Sequence, residues 1–262
     1  MGQPLSEKIT KLGLVTHDYN KRNKEGLWDY TEHFARINHF CDREGCDTIL
    51  YSLYTWDERS SLVRSQDSFF KDLLSVHRII LEFGNLDLGY EQGTSHLKVE
   101  IWQDGQLTPT ETTQKFSTSQ DSWNKKKAFV ADLPNRRLAN ALVMICGESN
   151  IASLVRKSKD FNDPFEFNKM LADLGASLIL NPVHDYMRRF EMAEKRRYYS
   201  QGGRTVVSVW NQGKGKESSF PWTVFHDGVK RTELVKELEN PFSDQPDIRI
   251  GVLCLESVNQ VT

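Results

Sequence analysis

Cys146 is the residue of this sequence whose placement most clearly suggests chemistry. It follows the apolar run at residues 142–145 (LVMI), and the turn and polar residues Gly147, Glu148 and Ser149 come directly after it. A short apolar run that ends in turn residues predicts a buried strand, so the thiol is expected where a central strand ends. Layered α/β folds concentrate sites at such ends, because a rigid sheet holds the loops there. The alternative is that Cys146 only packs, since free cysteine is among the most buried residue types.

A nucleophilic thiol needs a base or a positive neighbour to become a thiolate. Histidine is one such base, but no histidine of this sequence sits in a recognisable local signature. A Cys-His protease therefore remains an unsupported alternative. The histidines considered for that pairing are His77, His96, His184 and His226.

Composition limits the classes of partner and site. The 262 residues carry a formal net charge of −2, with 38% hydrophobic and 27% charged residues, which is typical of a globular protein. Because no overall basic field exists, neither nucleic acid nor a membrane is expected as a partner. Cys41 and Cys46 are too far apart for a CxxC pair, and no matching pair follows, so no metal site is predicted. No signal-peptide core and no apolar run of about 18 residues occurs, which predicts a cytoplasmic protein with reduced thiols.

The elements that would position Cys146 alternate between strands and helices. Residues 11–16 and 47–54 read as strands around a helical stretch at 26–44 that ends at Gly45, which predicts a parallel β-α-β unit. Hairpins are predicted at Asp104-Gly105, leading toward Lys115, and at Asp227-Gly228. With no linker to divide the chain, one layered α/β domain is expected. Helices are predicted at 67–76 and 186–201, with helical pieces in 151–175; further strands are predicted at 78–83, 128–133, 139–145, 176–180, 205–210 and 247–255.

These segments, with their motifs in this order, resemble the nitrilase (carbon–nitrogen hydrolase) superfamily. Cys146-Gly147-Glu148 is similar to that family's C-W-E or C-Y-D turn. Residues 172–182 (ADLGASLILNP) resemble its "G-A-D-hydrophobic-N-P" strand, and residues 204–211 (RTVVSVWN) resemble its "Y-V-hydrophobic-x-x-N" strand. The resemblance spans roughly residues 12–253.

The resemblance implies a four-layer α-β-β-α sandwich, here a single domain over residues 1–262, with a Glu-Lys-Cys triad and neither a metal nor an organic cofactor. The thiolate would attack a non-peptide amide or nitrile carbon, amide being favoured, to form an acyl-enzyme on Cys146. A carboxylate would take the thiol proton, and a lysine would stabilise the developing negative charge. The implied partners are a small-molecule amide and other copies of the chain, in a homodimer or larger homo-oligomer.

Carried over residue by residue, Cys146 is the nucleophile, and Lys115 at the end of the hairpin is the lysine. The glutamate is the departure, because Ser52-Leu53 stands where the family has Pro-Glu. Glu58 is the proposed base, with Asp57 behind it. Glu82 is a further candidate.

Three residues complete the predicted substrate side of the site. Asp121 stands near the place of the family's second glutamate, Glu148 would order the turn, and Asn181 belongs to the N-P motif. Gly147, in place of an aromatic residue, would leave the pocket wall more open, or would serve only the turn.

The helix at 186–201 is basic on more than one face, which usually indicates a solvated surface and alternatively a site for an acidic partner. Its basic residues are Arg188, Arg189, Lys195, Arg196 and Arg197.

The rival hypothesis comes from the missing glutamate. If no carboxylate reaches Cys146, the fold would serve as a catalytically impaired binding or regulatory protein.

Overall fold

The structure is a computed structural model. It describes residues 8–18, 20–21, 24, 26, 31–53, 55–57, 72–84, 98–104, 106–107, 112–183, 190–212, 220–244 and 247–260. The helices among these residues are α1 (Thr31–Arg43), α2 (Trp123–Asp132), α3 (Phe167–Asp173), α4 (Phe190–Tyr199) and α5 (Leu255–Asn259). None of the described helices is long and apolar enough to cross a membrane.

The strands of the described residues are β1 (Lys11–Thr16), β2 (Thr48–Tyr51), β3 (Trp56–Asp57), β4 (Arg78–Gly84), β5 (Lys98–Gln103), β6 (Gln106–Leu107), β7 (Thr112–Thr113), β8 (Arg137–Leu138), β9 (Ala141–Val143), β10 (Ser153–Val155), β11 (Asp160–Asn162), β12 (Leu178–Val183), β13 (Thr205–Trp210), β14 (Trp222–His226), β15 (Val229–Lys230), β16 (Lys236–Leu238) and β17 (Arg249–Cys254).

Two large sheets carry the fold. In the first sheet the order is β16-β17-β1-β2-β4-β5-β6, with β3 beside β4 and β7 beside β5. In the second sheet it is β15-β14-β13-β12-β9-β8. Each sheet has a parallel centre, formed by β1, β2 and β4 in the first and by β9, β12 and β13 in the second. The predicted parallel β-α-β unit is confirmed, with Leu12 opposite Thr48.

Three apolar clusters place these sheets in layers. The first cluster joins side chains of both sheets, such as Leu50 and Leu180, so the sheets face each other. The second packs α1 on the outer face of the first sheet, and the third packs α2, α3 and α4 on the outer face of the second. The order helix, sheet, sheet, helix agrees with the predicted α-β-β-α sandwich.

The carboxyl ends of the parallel strands meet at one edge of the molecule. Thr16 donates from Oγ1 to the Trp210 carbonyl at 2.7 Å, which joins the end of β1 to the end of β13. Asn211 donates from Nδ2 to the Leu53 carbonyl at 2.5 Å, which joins the segment after β2 to the same place. The ends of strands from both sheets are therefore neighbours, and Cys146 follows the strand beside β12.

The structure corrects the secondary-structure prediction in three places. Within residues 151–175, expected to hold helical pieces, β10 and β11 form an antiparallel pair before α3. Residues 128–133 were expected to form a strand, but they continue α2 and a following 3-10 helix at Leu133–Arg136. Ser122 caps this helix by accepting from the Lys125 N–H, and Phe129 and Leu133 bury the same helical face. Of the helix predicted at 67–76, residues 72–76 are not helical and the rest lies outside the described residues.

Candidate active site

Cys146 is the first residue of a six-residue 3-10 helix, Cys146–Ile151, which we call the cysteine turn. Cys146 thus lies three residues after the end of β9, as the predicted strand-end position requires. Its side chain is half-buried and packs against the apolar cluster between the two sheets. Cys41, within α1, and Cys46, shortly after it, are in contrast fully buried. Cys146 thus combines a sheet-edge position with partial access to solvent.

Glu148 holds the cysteine turn from inside the protein. Its Oε2 accepts from Arg136 Nη1 at 2.6 Å and from the Ile145 N–H at 3.0 Å, and its Oε1 accepts from the Lys115 N–H at 2.7 Å. Both Glu148 and Arg136 have side chains that are 0% exposed. Burial raises the pKa of the Glu148 carboxyl, and Arg136 with the two backbone donors acts in the opposite direction. A carboxylate placed in this way orders the turn, and it presents no surface on which a substrate could bind.

Gly147 lets the segment after Lys115 lie directly on the cysteine turn. A Cβ atom at this position would lie 2.5 Å from Ser117 Cα and 2.6 Å from the Ser117 carbonyl oxygen. The expectation of a more open pocket wall at Gly147 is therefore wrong, because the backbone of Ser117 fills the space. The alternative, that glycine serves the local backbone, agrees with the structure.

Lys115 is joined to the cysteine turn through its backbone, which donates to Glu148. Its ammonium group donates to Thr113 Oγ1 at 3.1 Å and lies 3.6 Å from Asp132 Oδ2. Asp132 also accepts from Arg136 Nε at 2.9 Å. The predicted lysine is thus brought to the cysteine turn, with its charge balanced by Asp132.

Asp121 closes the loop between Lys115 and α2. One of its oxygens accepts from the backbone N–H groups of Ser117 and Thr118, at 3.0 and 2.7 Å, and the other accepts from Lys125 Nζ at 3.1 Å. Burial by itself raises the pKa of Asp121, but these hydrogen bonds outweigh it and lower the pKa to about 2. Asp121 therefore stays ionised as a loop-ordering carboxylate.

Asn181 connects β12 with β13 and with the segment that follows β9. Its Nδ2 donates to the Met144 carbonyl at 2.6 Å, and its Oδ1 accepts from Ser208 Oγ at 2.9 Å. The side chain is buried and both of its polar atoms are engaged. This amide fixes the strand end that leads into Cys146.

Two cations of α4 are buried, although the sequence predicted a solvated basic face: Lys195 lies against the cysteine turn and Arg196 against β13. Lys195 is 1% exposed and Arg196 is 4% exposed, whereas the neighbouring Arg197 is exposed and paired with Glu194. The signal was present in the sequence, because Met192, Lys195, Arg196 and Tyr199 follow the i, i+3, i+4, i+7 spacing of a core-facing stripe. Because Lys195 and Arg196 are charged, the stripe was not recognised as core-facing. Arg188 and Arg189 lie outside the described residues.

The segment after β2 is packed mainly through apolar contacts, whereas the cysteine turn is held by charged and polar groups. Leu53, at the position where the resemblance requires glutamate, is fully buried in the apolar cluster against which Cys146 packs. Ser52 beside it is also buried, with its Oγ 3.5 Å from His17 Nδ1. The proposed base Glu58 lies outside the described residues, and for Asp57 and Glu82 only the backbone is described. Ser52 and Leu53 thus contribute a buried hydroxyl and an apolar side chain at this strand end.

Solved structures of other proteins share this architecture. A glutamine-dependent NAD(+) synthetase from Cytophaga hutchinsonii matches over 94% of this chain, with a TM-score of 0.54 and 8% identity; this chain spans 43% of that protein. A carbon–nitrogen hydrolase from Helicobacter pylori G27 matches over 97% of this chain and 91% of its own, with a TM-score of 0.52 and 13% identity. The chain has the nitrilase-superfamily fold. A cysteine-to-serine mutant of the Nesterenkonia AN1 amidase, from the same superfamily, matches over 97% of this chain and 94% of its own, with a TM-score of 0.51 and 13% identity.

No protein-family model matches the chain, and no curated protein matches it in sequence. The nitrilase fold is therefore recognised through the arrangement of strands and helices. Within that fold the structure brings the segments of Lys115, Cys146 and Glu148 together through the contacts described above.

Proposed function

We propose that the protein is a thiol-dependent hydrolase of non-peptide carbon–nitrogen bonds, with a small amide as the favoured substrate and Cys146 as the nucleophile. The observation that carries this proposal is the construction of the cysteine turn. Burying two charges costs several kcal/mol of desolvation per ion, yet the structure buries Glu148 and Arg136 together, with Glu148 in the same turn as Cys146. The result is a half-exposed thiol in a fixed position.

The proposed reaction follows from the groups around the thiol. The Cys146 sulfur attacks the amide carbon, the thiol proton passes to a base, and the carbonyl oxygen takes up negative charge that a cation such as Lys115 stabilises. The C–N bond then breaks, and the nitrogen leaves with a proton as ammonia or an amine. Water attacks the thioester, releasing a carboxylic acid and restoring the thiol. Glu58 remains our proposed base.

A precedent for a reactive cysteine exists among proteins of similar fold, although the reaction there is addition to a C=C bond and not attack on the amide carbonyl. In a mutant amidase from Nesterenkonia sp. AN1, acrylamide adds to the active-site cysteine by Michael addition. If Cys146 of this chain is activated in a similar way, we expect it to react with small amides that reach the cysteine turn. The proposed reaction uses no metal or organic cofactor, and we propose further that copies of the chain associate.

Mass spectrometry of the intact chain after incubation with a panel of short-chain amides tests the proposal. The expected results are an acyl adduct on the peptide that contains Cys146 and release of ammonium. Both are lost in Cys146→Ala and kept in Cys254→Ala, a matched control because Cys254 is also half-buried. Ammonium release that survives Cys146→Ala would contradict the assignment.

A second candidate is a binding or regulatory protein without turnover. The apolar packing of Leu53 at the position of the expected glutamate favours it. Neither adduct nor ammonium with any amide, from a protein that is folded and whose Cys146 reacts with alkylating agents, would support this second candidate.

A further inference from the structure

The C-terminal end of α1 brings two cysteines together. The N–H of Gly45, which has φ +72°, donates to the Asp42 carbonyl at 2.8 Å. The N–H of Cys46 donates to the Cys41 carbonyl at 3.0 Å. These two bonds around a left-handed glycine form a Schellman cap, in which the first and last side chains are in contact. Because the second bond joins the two cysteine backbones, their Cα atoms lie within about 7 Å, a separation that a disulfide can span.

Gly13 leaves room for both sulfur atoms on the outer face of the first sheet. A Cβ atom on this residue of β1 would lie 3.0 Å from Cys41 Sγ and 3.5 Å from Cys46 Sγ. Glycine inside a strand often marks a place where other atoms approach the backbone closely. The two cysteine side chains thus converge on one spot, as a disulfide between them requires.

The two thiols are enclosed in the second apolar cluster. Cys41 and Cys46 are both 0% exposed, and both are free cysteines. A hydrogen bond between their side chains, together with burial, raises the pKa of the Cys41 thiol. The folded chain therefore protects the pair from reagents in solution. A reagent reaches the pair when the end of α1 opens locally, as helix ends do.

We propose that Cys41 and Cys46 are a redox-modification site, at which a small-molecule disulfide oxidises the two thiols to an intramolecular disulfide. In the first step the thiolate of one cysteine attacks a sulfur of the reagent, which forms a mixed disulfide and releases one small thiol. In the second step the thiolate of the other cysteine attacks the protein sulfur of that mixed disulfide and releases the second small thiol. The two cysteines lose two protons and two electrons, and the reagent gains them.

The same cap holds the segment that leads into β4. Asp42 accepts at Oδ1 from the backbone N–H groups of Leu74, Ser75 and Val76, at 3.0, 2.6 and 2.9 Å. The disulfide would therefore fasten a cap that already joins α1 to the first sheet. We expect the oxidised chain to keep its fold and to unfold at a higher urea concentration than the reduced chain, because the cross-link restricts the unfolded state.

Mass spectrometry of the full chain after incubation with oxidised glutathione tests the proposal. The incubation is carried out in urea below the unfolding transition, and the remaining thiols are then blocked with N-ethylmaleimide. Trypsin cuts after Arg43, between the two cysteines, so the disulfide joins the peptides at residues 37–43 and 44–59. This linked pair should exceed the glutathione adduct of either cysteine at least about tenfold, because a neighbouring thiol acts at a high effective concentration. Dithiothreitol should separate the two peptides again.

Cys41→Ala and Cys46→Ala should each abolish the linked pair, and the matched control Cys254→Ala should keep it. The result on the wild-type chain decides even if a variant of the buried pair does not fold. Glutathione adducts without the linked pair overturn the proposal, as do free thiols at both positions or a linked pair that forms only in the unfolded chain. The readout involves neither Cys146 nor an amide, so this proposal and the proposed function fail separately.

Discussion

The two strand ends that meet at the edge of this fold are built in opposite ways. After β9, the cysteine turn is held by charged and polar groups, with Glu148 bonded to Arg136 and to two backbone N–H groups. After β2, Leu53 is packed among apolar side chains. One end carries Cys146 in a polar framework, and the other buries Leu53 among apolar side chains. Among the described residues, the polar support of the cysteine turn comes from Glu148 and Arg136 and not from the segment after β2.

The largest expected loss of stability follows from removing the buried carboxylate of the cysteine turn. Glu148→Gln should lower the free energy of unfolding by about 4 kcal/mol, because it removes a buried carboxylate with three charge-assisted hydrogen bonds and leaves Asp132 as the charged partner of the buried Arg136. Chemical denaturation measures this loss. The control is Glu166→Gln, whose ion pair with Lys169 has both side chains 71% exposed and should contribute less than about 0.5 kcal/mol. Similar losses of unfolding free energy in the two variants would show that the buried Glu148–Arg136 pair does not stabilise the cysteine turn.

The second effect places a charge at the apolar end. Leu53→Glu should cost about 3 kcal/mol near pH 8, because an ionised carboxylate would be buried without a partner. Burial would raise the folded-state pKa of this glutamate above its unfolded value of about 4.3. The cost should therefore be smaller at about pH 3, below the unfolded pKa, where the carboxyl is protonated in both states, and should grow as the pH rises.

Urea denaturation of Leu53→Glu at the two pH values checks this expectation, with the apolar Leu53→Met as the control. A cost that does not depend on pH would mean that the new carboxyl reaches solvent or a cation.

A third change tests the close approach at Gly147. The Cβ of Gly147→Ala would lie 2.5 Å from Ser117 Cα, and the overpacking should cost about 2 kcal/mol. Gly203→Ala is the control, since Gly203 has φ +74° but no neighbour within 4 Å of the added Cβ. That variant should cost about 1 kcal/mol from backbone strain alone. Thermal or urea unfolding ranks the two, and a smaller loss in Gly147→Ala would argue against the contact.

The smallest effect concerns Asp121, at the margin of the polar end. Asp121→Asn should cost about 1 kcal/mol at pH 7 through weakened hydrogen bonds. The folded pKa of Asp121, about 2, lies below its ordinary value of 3.8. Its contribution is therefore present above pH 4 and is lost as the pH falls toward 2. The free energies of unfolding of the wild type and Asp121→Asn should therefore differ at pH 7 and approach each other at pH 2.5, whereas the exposed Asp173→Asn should match the wild type at both pH values.

Local sequence patterns predict much of this fold, because strand alternation and turn residues are short-range signals. β1 and β13 were expected at residues 11–16 and 205–210, and both are observed there. Residues 128–133 were misassigned because the apolar residues in AFVADL fit a strand as well as one face of a helix.

The contacts that make the site were harder to predict because they join distant parts of the chain. Glu148 meets Arg136 across a 3-10 helix and two strands, and no local pattern pairs them. Arg196 reads as a surface residue because charged side chains are seldom buried. Only the packing of α4 against β13 shows that this cation is inside.

Competitive labelling of the native chain tests the central claim, that Cys146 is the activated thiol, most directly. Cys254 is the demanding comparison, since it is also half-buried and backbone hydrogen bonding at Ser257 lowers its pKa. With limiting iodoacetamide at pH 7, the account predicts that the Cys146 peptide is modified first and that a reactive amide added beforehand protects it. Faster modification of Cys254, with no protection of Cys146, would contradict the account.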